Sequence, residues 1–281
     1  VAAVVWPSPV LAGSAAGGAP ARIAIIIDDL GYRLPEGLRA LALPGQLTYS
    51  FLPHTPHAPR LARMARESGR EVLLHLPMES ARGKALGPGG ITRDMDRPVV
   101  TATVRAALAS LPAVDGVSNH MGSLLTRLPL HMQWVMEALG ERRGLYFVDS
   151  RTSGGSVAEH TAARHGLPHT GRDVFLDHET DPEYIDGQLR ELVTLARRTG
   201  RAIGIGHPYP ATLAVLEEAL PALARDNVLL VPVSRMLDPP RFHTQRSTQS
   251  WRLSWSLSPK DAKSSKPSPS STCCAAPASR L

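Results

Sequence analysis

The sequence predicts an α/β fold in which seven or eight parallel strands close into a barrel. Two observations point there. Between Arg22 and Asp238, eight short apolar runs alternate with helix-compatible stretches, the pattern of a parallel sheet covered on both faces. Nearly every run then ends in polar, chemically capable residues, as expected where all strand C-termini share one rim.

In chain order the strand-like runs are RIAIIID, QLTYSFL, REVLLHL, DGVSNHM, GLYFVDS, DVFLDH, RAIGIGH and VLLVPVS. Short runs rich in Ile, Val and Leu suit strands buried in a parallel sheet. The intervening stretches include APRLARMARESG, RPVVTATVRAALASL, PLHMQWVMEALGERR, PEYIDGQLRELVTLARRTG and PATLAVLEEALPALA. In the fourth, Ile185, Leu189, Leu192 and Leu195 recur at helical spacing, and Gly200 supplies the stop. The barrel domain is placed at residues 21–239.

Residues 1–20 are apolar and then rich in small side chains, like the hydrophobic region and cleavage zone of an export signal. Pro7 and Pro9 break the run, which is too short to form a stable membrane span. Residues 240–281 are rich in Ser, Pro and Lys, lack an apolar period, and read as a disordered tail. The net charge is +6, and the seven Lys/Arg and one Asp from Arg241 onward account for all of it. The body is therefore balanced, without a basic field for phosphates, which argues against nucleic acid as a partner. Both cysteines, Cys273 and Cys274, lie in the tail, so the body has no thiolate metal site. A thiol-free body suits an oxidising compartment.

The strand ends carry the candidate chemistry. Asp28 and Asp29 follow three isoleucines, and adjacent carboxylates repel unless a cation or a proton separates them. That favours metal binding by one and base work by the other; the alternative is a helix cap with a turn residue. His75, in LLHLPMES, and His120, in SNHMGS, are each by themselves ordinary core or rim histidines. Joined by an aspartate of the first run, they form an N,N,O set that suits Zn²⁺ and leaves room for water. Asn119 is available to orient a ligand or contact substrate, and Ser123, after Gly122, adds a hydroxyl. His207, in AIGIGHPYP, is held out of helical geometry by Pro208. It suits either a general acid facing the metal or a turn histidine bonded to a carbonyl. Asp149 and Asp177 are expected to support a histidine or a substrate hydroxyl, and Arg151 to grip a carboxylate or lock Asp149. The long loop from Pro77 to Pro98 is expected to cover a substrate groove.

The motifs IAIIIDDLG, EVLLHLPMES, SNHMGS, LYFVDSRTS, DVFLDHE and IGIGHPYPATL, in this order, resemble the divergent polysaccharide deacetylase family over about residues 21–234. The resemblance implies a distorted (β/α) barrel of seven or so strands in an exported, periplasmic bacterial protein. It implies that Asp29, His75 and His120 hold a divalent metal, Zn²⁺ by preference, with Asp28 as base and His207 as acid. The implied reaction is hydrolysis of an acetamide or acetyl ester on a cell-envelope polysaccharide, with an N-acetylated glycan as the partner. The competing reading is a non-catalytic envelope protein that uses the same cleft to bind glycan or a protein. One departure stands out: the two ligand histidines come from successive strands here, whereas active deacetylases usually carry both in one short motif.

Overall fold

The structure is a computed structural model that describes residues 19–237 apart from Ala224. Nearly all of the expected leader, and the whole expected tail with both cysteines, lie outside the described residues.

Strand β1 (Ala21–Leu30) shows why the sheet is covered on both sides. Ile23, Ile25 and Ile27 pack outward into a large cluster shared with the helices. Ala24 and Ile26 face inward, where they meet Leu73, Val148, Ile203 and Ile205. All five β1 residues are fully buried. A strand apolar on both faces is stable only between two apolar layers.

Eight further strands complete the sheet: β2 (Thr48–Phe51), β3 (Glu71–Met78), β4 (Gly116–Met121), β5 (Tyr146–Asp149), β6 (His169–Gly171), β7 (Val174–Phe175), β8 (Arg201–Gly206) and β9 (Val228–Leu230). Their order is β6-β5-β4-β3-β2-β1-β8-β7, and β9 pairs with the first residues of β1. Every pairing is parallel.

The chain itself forces closure. β6 and β7 lie on opposite edges of the sheet, yet only Arg172 and Asp173 separate them. Gly171 and Val174 can be no more than about 11 Å apart, so the sheet must curl until its edges meet. The Arg172 amide donates to the Asp149 carbonyl on one edge, and the Asp173 amide to the Ile203 carbonyl on the other. Two residues thus close a distorted (β/α) barrel. Each of the eight apolar runs is a strand. The sequence reading lacks β6, three residues with no apolar run around them.

Helices α1 (Leu34–Leu41), α2 (Ala58–Glu67), α3 (Arg97–Ala109), α4 (Pro129–Gly140), α5 (Ala158–Arg164), α6 (Pro182–Thr199) and α7 (Pro210–Leu223) form the outer layer. Asp96 and Asp181 cap α3 and α6 by accepting from the amides of Val99 and Tyr184. Gly200, at φ 87°, ends α6 in the left-handed conformation that glycine adopts without cost. A Cβ at Gly204 would lie 2.8 Å from a Leu192 methyl, so the close seat of α6 on β8 requires glycine there.

At the N-terminal end of the barrel a 3₁₀ turn, Val233–Met236, inserts Val233 and Met236 into the interior cluster. Beside it the Glu71 carboxylate accepts from Thr48 Oγ1 and the Tyr146 hydroxyl, both at 3.1 Å, and from the Ser234 amide at 3.2 Å. Among the described residues these contacts fill the floor, and the candidate site lies at the opposite end. No helix among the described residues is long and apolar enough to cross a membrane.

Candidate metal centre and active site

Two adjacent aspartates on one strand would normally point to opposite faces. β1 avoids this with a register shift between Ile27 and Leu30 against β2, a bulge that contains both aspartates. Asp29 sits within it at φ 59°, a left-handed conformation that costs a non-glycine residue about 1–2 kcal/mol. Asp28 and Asp29 consequently both approach His75. Neither is the helix cap that the alternative reading required, because Arg33 precedes α1 and carries no side-chain cap.

The histidines reach the same point through strand register. His75 on β3 pairs with Ser118 on β4, and His120 lies two residues further along β4 on the same face. His75 Nε2 lies 3.1 Å from Asp29 Oδ1, and His120 Nδ1 lies 2.8 Å from the same oxygen. Ligand atoms of Asp29, His75 and His120 all fall within 4.8 Å of one another. Neither contact is aligned as a hydrogen bond, so Asp29 Oδ1 is buried without a hydrogen-bond partner. A buried carboxylate oxygen facing two ring nitrogens without a hydrogen bond is costly unless a cation completes the group. The donor set therefore fits a divalent metal such as zinc.

Hydroxyls and a carboxylate behind the histidines fix the orientation of their rings. His75 Nδ1 is 2.7 Å from Ser118 Oγ, which is 2.8 Å from Ser50 Oγ. With Nδ1–H donating to Ser118, the Nε2 lone pair is left facing Asp29. Across the mouth, His207 Nε2 lies 3.8 Å from Asp29 Oδ2, and its Nδ1 is 2.9 Å from Asp177 Oδ1. Asp177 also accepts from the His207 amide and from Thr212 Oγ1. His207 is thus tied to a carboxylate, not to the carbonyl of the turn-histidine alternative.

Burial and charge move the ionisations apart. Burial raises the Asp28 carboxyl above its ordinary range, against the opposing pull of His75 and His207. Burial acts in the same direction on Asp29, but the close approach of His120 and His75 outweighs it and holds that carboxyl well below normal. For His207, burial favours the neutral ring, yet the bond to Asp177 and the charge of Asp29 prevail and raise its pKa to about 9.

The chain belongs to the divergent polysaccharide deacetylase family. The family model matches residues 25–237. Over 237 residues the chain is 39% identical to the uncharacterized protein YibQ of Escherichia coli (strain K12), covering 84% of this chain and 71% of that one. It is similar to the crystal structure of the uncharacterized protein ATU2773 from Agrobacterium tumefaciens C58, at a TM-score of 0.74 and 26% identity over 79% of this chain and 92% of the other. A mutant of the Bacillus anthracis CE4 family pseudoenzyme BA3943 shares the fold at a TM-score of 0.50 and 13% identity, over 78% and 68% of the two chains.

Within this family member the remaining candidates divide into those near the mouth and those serving its frame. Asn119 is fully buried, its side chain accepting from the Ser150 amide and donating to the Met121 carbonyl, so it braces two rim loops. Asp149 likewise touches no histidine: it accepts from the Arg151 amide and Ser156 Oγ and shapes the loop after β5. The Arg151 guanidinium is paired with Glu159 and Asp173, and its backbone amide donates to Asp149, so the residue links parts of the rim. Ser123 accepts from the Ala81 amide and lines a cleft beside the centre. The loop from Pro77 to Pro98 does border that cleft, through Ser80, Ala81, Arg82 and Lys84. Sequence reasoning missed Ser50 and Ser118. Their signal was a hydroxyl inside an otherwise apolar strand, a buried polar group that must find a partner.

Proposed function

We propose that this family member is a metal-dependent deacetylase that hydrolyses an acetamide or acetyl ester on a cell-envelope glycan. The observation that carries the reading is the unpartnered, buried Asp29 Oδ1 between His75 and His120, with Asp28 and the Asp177-held His207 beside it. A divalent ion, Zn²⁺ by preference, held by Asp29, His75 and His120 would polarise the acetyl carbonyl and acidify the attacking water.

The chain's own groups supply the proton transfers. Asp28 accepts the proton of the water: its Oδ1 has no hydrogen-bond partner, and burial raises its basicity above that of an ordinary carboxylate. His207 returns a proton to the departing amine or alkoxide. Asp177 engages Nδ1, so Nε2 is the nitrogen that carries the transferable proton, and a pKa near 9 keeps it charged at neutral pH. The two groups thus hold opposite roles at the same pH because burial dominates one and carboxylate neighbours dominate the other.

The test compares zinc-loaded wild type with Asp28→Asn on an N-acetylated oligosaccharide. Acetate release is expected to fall by about 10²–10⁴-fold, the usual contribution of a general base, while bound metal stays at the wild-type level. Undiminished release in the variant would remove Asp28 from the mechanism. Glycan binding by wild type with no acetate release under any divalent ion would favour the non-catalytic reading.

A further inference from the structure

Beside the centre lies a cleft of about 630 Å³ with an unusual wall. Arg82, Lys84, Arg127, Arg151 and Arg172 line it, and no Asp or Glu does. Several other surface arginines are matched, among them Arg39 with Glu217, Arg66 with Asp115, Arg93 with Glu79 and Arg105 with Glu141; what sets the cleft apart is that five cations share one concave wall with no carboxylate in it. Here Arg82, Lys84 and Arg127 are exposed and make no ion pair among the described residues. Arg172 donates to the carbonyls of Ser150 and Arg151 and lies over the Phe175 ring at 5.1 Å, with no carboxylate bonded to it. Only Arg151 is neutralised, by Glu159 and Asp173.

This concentration of charge does not follow from the composition, because the body upstream of Arg241 is electrically balanced. A neutral body can still gather its cations in one place, and the expectation of no basic field fails locally. Unmatched like charges in a concave wall repel one another and are favoured only where an anion joins them. The cleft also adjoins the centre. Met121, which follows His120, and Phe175, whose ring centroid is 5.3 Å from that of His207, both line it.

The opposite flank has another character. A second cleft of about 330 Å³ is bordered by Asp29 and by Tyr32 and Tyr209, which are 50% and 41% exposed. Exposed aromatic faces beside a polar centre suit the apolar face of a sugar ring. The mouth therefore presents an aromatic shelf on one side of the centre and a cationic wall on the other.

We propose that the glycan substrate is anionic, and that Arg82, Lys84 and Arg127 bind a carboxylate or phosphate on a sugar next to the acetylated one. This rests on the deacetylase reading above and narrows its substrate class. The two anions share the chemistry that a cluster of guanidinium and ammonium groups recognises.

The experiment uses the full chain loaded with zinc and three oligosaccharides on one N-acetylglucosamine backbone: neutral, 6-carboxylated in part, and 6-phosphorylated in part. At low salt the charged oligomers are expected to show a KM at least about tenfold below the neutral one, an advantage that shrinks as added salt screens exposed charges. The better of the two charged oligomers identifies the anion. In the triple variant Arg82→Gln/Lys84→Gln/Arg127→Gln, the ratio of charged to neutral kcat/KM should fall toward one. Because all three side chains are exposed, the fold should be unaffected. Equal KM for the three oligomers, or a preference that survives in the triple variant, overturns the proposal. Absence of acetate release from all three would count against the deacetylase reading alone. Calorimetric binding of the same oligomers then decides the cleft, with tighter binding of the charged ones supporting it and equal binding overturning it. A single-stranded oligonucleotide that binds as tightly as the charged glycans would overturn the assignment to glycan.

Discussion

At the floor of the barrel the Glu71 carboxylate accepts hydrogen bonds from Thr48, Tyr146 and Ser234, whereas at the mouth Asp28 and Asp29 each keep a buried oxygen without one. The backbone shows the same contrast. Of the non-glycine residues with positive φ, Asp29, His54, Met121 and Arg151 follow or end strands on the mouth side, and only Asn227 lies on the floor side. Such conformations cost about 1–3 kcal/mol each and persist where surrounding packing over-determines them. The floor carboxylate is satisfied within the chain, although Arg70 Nη1, just before β3, is buried without a hydrogen-bond partner. The mouth gathers two under-partnered carboxylates and most of the strained backbone, the arrangement expected where a parallel barrel carries its site.

The comparison can be broken at either end. Glu71→Ala is expected to have the largest effect on folding, about 3 kcal/mol in denaturant unfolding, because it strands the buried Thr48 and Tyr146 hydroxyls. Metal content per folded molecule should be unchanged. If metal were lost in proportion, the floor would not be independent of the mouth. At the mouth, Ser118→Ala should weaken zinc binding by about 10–100-fold, as loss of the group that orients a ligand histidine usually does. Circular dichroism should remain that of wild type. Wild-type zinc affinity in this variant would mean that packing, not the hydroxyl, sets the His75 ring.

A smaller effect concerns pH. His207 has a folded pKa of about 9, above the 6.5 of the free side chain. Its stabilising contribution in the metal-free protein is therefore fully present below about pH 6.5 and fades as pH rises through 9. His207→Gln should flatten the stability profile across that window. NMR titration of the His207 ring in metal-free protein should give a midpoint near 9, and added zinc, a nearby positive charge, should lower it. A midpoint near 6.5 without metal would show that Asp177 and Asp29 do not hold the imidazolium.

Much of this was legible in advance, for identifiable reasons. The eight apolar runs became strands because burial on both faces demands an unbroken series such as Ile25-Ile26-Ile27, which few other structures accept. The candidate centre was legible because polar residues at the ends of such runs can lie only on one rim. β6 and α5 were not, since His169–Gly171 and Ala158–Arg164 carry little apolar signal and are held by neighbours already in place. The hydrogen-bond partners of Asn119, Asp149 and Arg151 were not legible for a related reason. Residue type shows what a group can bond, whereas its partners depend on which loops fold back beside it.

By itself the sequence determined the class of fold, the end of the barrel where polar strand ends gather, and the candidate residues there, because hydrophobic period and residue type act locally. Only the tertiary structure decided that Asp28 and Asp29 share a bulge, that His75 and His120 meet across β3 and β4, and that five cations of a balanced chain line one cleft. Those outcomes depend on strand register and closure at Arg172 and Asp173, where forces from distant parts of the chain are summed.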